Sequence, residues 1–251
     1  MSLPIRFTVC TYNIWTHTRW PERRPALQSF ARHHLPDILC LQEVQAESRA
    51  ALDEVLSVTH ARVEDPFEGW TCEGNIYWNT ALFEGVEYGA EDVGILEPYR
   101  RMFWVRLRLK DGSGRTILVA TAHWTWAGHP VSIESEKNIR IPQARATMAA
   151  LARLAQPDEP QLFMGDLNDN TLPIAIVEAE GYQNCFAGLG RSPDFTHPAA
   201  PTAKGWPVTI DWIFHKGALR PMTAEVVDFF EGDMAPSDHK PVLATYALIS
   251  A

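Results

Sequence analysis

The feature that most restricts how this chain can fold is a recurrence. Five short apolar runs each lead to, or enclose, a polar functional group. VCTY leads to Asn13, ILCLQ to Glu43, LVATA to His123 and LFMG to Asp166 and Asn168, while TIDWIF encloses Asp211. A sixth group, Ser237-Asp238-His239, precedes the last apolar run. Runs of this kind read as buried strands. A carboxylate left unpaired beside such a strand costs several kcal/mol. Repeating that cost makes sense if the strand ends converge on a cation or on one another. The fold must then bring positions 13 to 239 to one common edge.

The rest of the chain supplies the scaffold. Ile5 to Ile14 alternates as a strand, and Arg23 to His34 has helical spacing at Leu27, Phe30 and Ala31 before Pro36. Asp37 to Val44 is a buried strand and Ala46 to Val58 a helix. Asn75 to Phe83, Val86 to Leu96, Phe103 to Leu109 and Thr116 to Trp124 read as strands. Asp111-Gly112-Ser113-Gly114 supplies hairpin chemistry between the last two. Val131 to Ala155 is the longest helical pattern. Gln161 to Met164 is a short strand, and Ile174 to Glu180 a short helix capped by Gly181. Gly188 to Val208, rich in Pro, Gly and Ala, reads as a loop. Thr209 to Phe214, Thr223 to Phe229 and Val242 to Ile249 complete the strands. There are more strands than one sheet comfortably holds, and no linker separates two cores. The expectation is one domain over residues 1–251, a four-layer α/β sandwich. Two mixed β-sheets pack face to face, with helices on both outer faces. The two halves share a loose strand, helix, strand order.

Charge and composition narrow the function. A hydrophobic content of 46% offsets chain entropy, so disorder is excluded as the dominant state. The net charge of −9 lacks the basic excess that a long-duplex surface needs. Local basic patches remain at Arg19 to Arg24 and at Arg100 and Arg101. The four cysteines show no C-x-x-C spacing, and Cys10 and Cys40 sit inside apolar runs. Buried reduced thiols and a cytoplasmic location are expected. No apolar run reaches membrane-span length, and no charged-then-apolar leader opens the chain. HExxH, GxSxG, Walker A and GxGxxG are absent, which argues against zinc peptidase, serine hydrolase, NTPase and dinucleotide roles.

Six elements then fall into a known order: TYN (Thr11 to Asn13), LQE (Leu41 to Glu43), the strand end at His123, GDLN (Gly165 to Asn168), IDWIF (Ile210 to Phe214) and SDH-x-P (Ser237 to Pro241). In this the chain resembles the endonuclease/exonuclease/phosphatase superfamily of DNase I-like divalent-metal phosphoesterases. GD-x-N with SDH-x-P at this separation is the specific part, whereas TYN or LQE alone is weak. The resemblance implies Glu43 as an oxygen ligand for Mg²⁺ or Mn²⁺, supported by Asn13, with Asp238 as a second metal-facing carboxylate. It pairs His239 with Asp211, so that His239 contacts either a phosphoryl oxygen or the nucleophilic water. Asp166 orients or deprotonates that water, Asn168 donates to a phosphoryl oxygen, and His123 stabilises the phosphate. Asp166 and Asn168 lie two apart, so on an extended segment their side chains point the same way.

Plainer readings stand beside these. Glu43 suits a helix cap, Asn13 and Asp166 suit turns, and Asp211 suits a backbone-bonded strand carboxylate. Arg140 reads as structural, with a carboxylate partner. Trp15, Trp124, Trp126 and Trp206 lie close in sequence to the site and suit a pocket wall or ordinary packing. His17 and His129 follow site-bearing strands and are candidate substrate contacts, while the other histidines, His197 among them, carry no assigned role. The expected activity is metal-dependent hydrolysis of a small phosphodiester, a phospholipid headgroup or a nucleic-acid end by in-line attack of water. The alternatives are a DNA or RNA nuclease and, less favoured, a non-catalytic binding module. No protein partner is indicated.

Overall fold

In a computed structural model that describes residues 5–249, the first two strands already set the geometry. β1 (Arg6–Asn13) runs through α1 (Arg24–His34) into β2 (Ile38–Gln42), and the two strands pair in parallel. Then follow α2 (Ala46–Leu56), β3 (His60–Arg62), α3 (Gly69–Cys72), β4 (Gly74–Asn79), β5 (Phe83–Glu91) and β6 (Met102–Leu109). A second parallel pair comes from β7 (Thr116–His123) and β8 (Gln161–Asp166), joined through α4 (Pro130–Ser135) and α5 (Arg140–Leu154). The chain ends with α6 (Leu172–Ala179), β9 (Gln183–Asn184), β10 (Asp211–Lys216), β11 (Leu219–Val226) and β12 (Val242–Leu248).

The strands form two six-stranded mixed sheets. One has the order β11-β12-β1-β2-β4-β3, and the other β5-β6-β7-β8-β10-β9. A central core of Phe7, Val9, Ile38, Cys40, Val119, Met164 and Ile213 fills the space between the sheets. On the outer face of the first sheet, Cys10, Tyr12, Leu39 and Leu41 pack against Leu27 and Phe30 of α1 and Leu52 of α2. On the outer face of the second, Leu118, Ala120 and Phe163 pack against Ala144, Met148 and Leu151 of α5 and Val177 of α6. The expected four layers are therefore present. No helix among the described residues is long and apolar enough to cross a membrane.

Several element boundaries differ from expectation, each for a local reason. The Val131 to Ala155 pattern is two helices, because Glu136 adopts a left-handed backbone (φ 55°) that ends α4. Pro142 then sits in the first turn of α5, where its missing N–H has no helical partner to lose. β4 ends at Asn79 and β5 begins at Phe83, since the chain crosses between the sheets there. The Thr223 to Phe229 expectation moves to Leu219–Val226, an edge strand able to hold Pro221. The short elements β3, α3 and β9 carry too few residues to show a period.

Candidate active site

Strand alternation builds the site. Successive side chains of a strand face opposite ways, so Val9 and Asn13 share a face, as do Val119 and His123, Met164 and Asp166, and Ile213 and Asp211. Each apolar member of these pairs belongs to the core between the sheets. The polar members therefore cap that core at one end. Register aligns them further: His123 is opposite Asp166 across β7 and β8, and Asp211 is opposite Asp166 across β10 and β8. Gln42, beside Asn13, donates from Nε2 to Thr121 Oγ1 at 2.8 Å and ties the two sheets together below the site.

Gly165 makes this row possible. Its φ is +148°, and a Cβ there would lie 2.0 Å from the carbonyl oxygen of Ala122. Only glycine lets β8 approach β7 this closely at the residue before Asp166.

Asp166 lies at the centre, almost fully buried. Its Oδ2 accepts from Asn13 Nδ2 at 3.0 Å and lies 3.3 Å from His123 Nε2 and 3.7 Å from His239 Nε2. Asn13 Nδ2 also donates to Glu43 Oε1 at 3.1 Å, and His123 Nε2 is 3.9 Å from the same oxygen. His239 Nδ1 is 2.8 Å from Asp211 Oδ2. The structure thus brings Asn13, Glu43, His123, Asp166, Asp211 and His239 into one cluster. Asp238 lies at its margin, with Oδ1 3.2 Å from Ser237 Oγ. The Ser237 hydroxyl donates its proton to the Asn13 carbonyl at 2.6 Å, which ties the SDH segment to the end of β1.

Asn168 is placed differently from expectation. β8 ends at Asp166, and Asn168 has a left-handed backbone at φ 50°, so alternation along an extended segment does not apply. The turn instead places the Asn168 N–H on Asp166 Oδ1 at 3.0 Å. The Asn168 amide donates one N–H to the Trp124 carbonyl at 2.9 Å, leaving the other free of that bond. Glu43 is left-handed too, at φ 56°. Two non-glycine residues held there cost energy that the surrounding contacts must offset.

The electrostatics follow from burial and crowded carboxylates. Burial and then Asp211 push the Asp166 carboxyl well above the usual carboxylate range. Burial also raises Asp238, to about 6. Burial acts to lower His239, but Asp211 and Asp166 outweigh it and hold the imidazole well above its ordinary value. Burial, with Arg100 nearby, keeps His123 well below its ordinary value and therefore neutral. Within the cluster, two buried polar atoms, His123 Nδ1 and Asp211 Oδ1, have no hydrogen-bond partner among the described residues.

Other expectations separate here. Arg140 donates to Asp169 Oδ2 at 2.8 Å and so has its carboxylate partner. Trp124 is fully buried against the helices and bonded to Thr147, so it does not wall a pocket. Trp126 and Trp206 are exposed, and Trp15 lies under the Arg23 guanidinium at 5.1 Å. His129 caps α4, accepting from the Val131 N–H. His17 lies 3.8 Å from Glu47 at the surface. Cys10 and Cys40 are buried free thiols on opposite faces of the first sheet.

Sequence reasoning missed two residues. Arg23, read as part of a surface patch, is fully buried. Its guanidinium donates to the carbonyls of Ile14, Trp15, Thr16, Thr18 and Pro236, which binds the loop after β1 to the segment before Asp238. His197 packs its ring on His239, centroids 4.9 Å apart. Neither contact leaves a periodic trace in the sequence, since each joins segments distant along the chain.

Comparison with known proteins places the fold. No curated protein matches the sequence. Among solved structures, an endonuclease/exonuclease/phosphatase family protein from Bacteroides thetaiotaomicron superposes with a TM-score of 0.79 at 19% identity, covering 99% of this chain and 100% of that one. D. rerio TDP2 complexed with single strand DNA product gives 0.77 at 17% identity, over 96% of this chain and 98% of that one. A mannosyl-6-phosphatase from Bacteroides thetaiotaomicron gives 0.76 at 19% identity, over 96% and 99%. The sequence profile of the Endonuclease/Exonuclease/phosphatase family matches residues 10–239, a span that holds every residue of the cluster. The chain belongs to the endonuclease/exonuclease/phosphatase family.

Proposed function

We propose that this protein hydrolyses a phosphoester with the help of a divalent cation, Mg²⁺ or Mn²⁺. The observation that carries the reading is the convergence of two imidazole Nε2 atoms on Asp166 Oδ2, at 3.3 and 3.7 Å, beside the Asn13 amide and the Glu43 carboxylate. Members of this family are hydrolases of phosphoesters.

The donor set fits a hard cation. Glu43, Asp166, Asp211 and Asp238 gather at one end of the core, yet none is within ion-pair distance of a Lys or Arg among the described residues. Carboxylate oxygens suit Mg²⁺ or Mn²⁺. Glu43 would hold the ion, with Asn13 and Asp238 supporting it. Held there, such a cation would supply charge neutralisation for the phosphate and the leaving oxygen.

The chain's own groups do the rest. Asp166 orients the attacking water and takes its proton. Asn13 holds the Asp166 carboxylate in place. Asp211 fixes the tautomer of His239 and stabilises its charge, so that Nε2 faces the phosphate. His123 donates from Nε2 and Asn168 from its remaining amide N–H to phosphoryl oxygens.

For the substrate, a small phosphodiester, a phospholipid headgroup or a nucleic-acid end fits the acidic chain better than a long duplex. A nuclease acting on strand ends is the second reading, favoured by the likeness to TDP2 with its DNA product. The test is a screen of phosphodiesters, sugar phosphates, nucleotides and defined DNA and RNA ends, with and without Mg²⁺ or Mn²⁺. Hydrolysis should require the metal. Asp166→Asn should lower the rate by at least about 10²–10³ with the fold intact. Near-wild-type turnover in that variant refutes the assignment.

A further inference from the structure

His197 lies outside every motif that the proposed hydrolysis uses. It belongs to the loop that precedes β10, a segment with no regular element after Leu189. The loop is nevertheless held firmly at this point. His197 N donates to Val208 O at 3.0 Å, and Val208 N donates to His197 O at 2.8 Å. On either side, Ala199 N donates to Asp238 O at 2.6 Å and Lys240 N donates to Thr196 O at 2.6 Å. The backbone around His197 is thereby laced to the backbone that carries Asp238 and His239. Gly205 packs against the ring, since a Cβ there would lie 3.2 Å from His197 Cε1 and 3.8 Å from its Nδ1.

Three donor atoms result. One nitrogen of His197, one carboxylate oxygen of Asp238 and one nitrogen of His239 all lie within 4.8 Å of one another. Because Nδ1 of His239 faces Asp211, its Nε2, which lies 3.7 Å from Asp166 Oδ2, is the nitrogen left to bind. An imidazole whose other nitrogen is held by a carboxylate is oriented as metal-binding histidines usually are. The His197 ring makes no hydrogen bond to protein among the described residues, so its nitrogens are free. Two imidazoles and one carboxylate form a nitrogen-rich set that favours a borderline cation over Mg²⁺.

We propose that His197, Asp238 and His239 form a second cation site, for a transition metal of the Zn²⁺ class, which shares Asp238 with the oxygen set around Glu43 but differs from it by two imidazole nitrogens. Filling it displaces the Nε2 proton of His239 to solvent and withdraws that nitrogen from the phosphate. The site is therefore inhibitory. The binding half of this inference stands on the geometry of the three side chains. Only the inhibitory half rests on the proposed hydrolysis.

The test uses the full chain stripped of metal with a chelator. Co²⁺ is titrated in and followed by visible absorption, and Zn²⁺ is followed by calorimetry. The wild type should bind Zn²⁺ tightly at this site, and Co²⁺ should give the strong ligand-field bands of a low-coordinate nitrogen-containing site. His197→Gln should weaken Zn²⁺ at least about tenfold. It should remove those bands while leaving the circular dichroism spectrum and the Mg²⁺ isotherm unchanged. Glu43→Gln should keep the bands. Zn²⁺ affinity within about twofold of wild type in His197→Gln, a gap of under 1 kcal/mol, overturns the site. So does a Co²⁺ complex without those bands. On any substrate the protein cleaves with Mg²⁺, added Zn²⁺ should inhibit the wild type and inhibit His197→Gln about tenfold less. Equal inhibition of both overturns the inhibitory role. If no phosphoester is cleaved at all, the titrations still decide the site, so failure of the proposed hydrolysis and failure of this inference are told apart.

Discussion

Asp211 Oδ2 lies 2.8 Å from Nδ1 of His239, and both side chains are buried. The bond fixes which ring nitrogen faces the site and lets the imidazole hold a proton that burial alone would strip away. An amide cannot supply that charge. Asp211→Asn should leave the melting temperature near that of the wild type and lower kcat by about 10²–10⁴. The pH–rate profile of the variant should also shift, because His239 would lose its proton at a lower pH. An unchanged profile with unchanged kcat would remove Asp211 from the machinery.

Arg23 is the structural counterpart of that dyad. Its side chain is spent on backbone carbonyls, so its role is to fix the loop that follows Asn13 relative to the segment that leads to Asp238. Arg23→Met leaves those carbonyls buried without donors. The expected loss is about 2–5 kcal/mol of stability, read from urea unfolding. Arg23→Lys should recover only part of it, since an ammonium cannot reach the same fan of acceptors.

His215 sets part of the acid stability. It lies on the inward face of β10, with Tyr246 Oη 3.2 Å from its Nδ1, and burial pushes its pKa down to about 4. The unfolded chain titrates this group near about 6.5. Between those values the unfolded state binds a proton that the folded state refuses. Stability from this group is thus complete above about pH 6.5 and falls as the pH drops toward about 4. His215→Phe should flatten the melting temperature against pH across that window. His60, also lowered by burial, should preserve some of the slope.

Much of this arrangement could be read from the chain before any coordinates. Alternation in VCTY, LVATA and LFMG fixes which side chains share the inner face, so Asn13, His123 and Asp166 follow from strand geometry alone. What escaped depends on contacts without a period. Arg23 looks like surface charge until the carbonyls of Pro236 and Ile14 are brought to it. Asn168 follows its neighbour through a left-handed turn, which residue spacing does not reveal. Trp124 continues the outward phase of β7, and the same alternation that placed His123 would have placed it in the core. His197 was indistinguishable from any loop histidine, because its meaning lies wholly in the backbone bonds to Asp238 and Lys240.

The two sheets each own only half of the cluster. Asn13 and Glu43 hang from one, His123, Asp166 and Asp211 from the other. Neither half can assemble the constellation by itself, so the proposed turnover would report whether the halves are mated. A slip of one layer against the other by a single residue spacing would break the cluster apart while leaving every strand hydrogen bond intact.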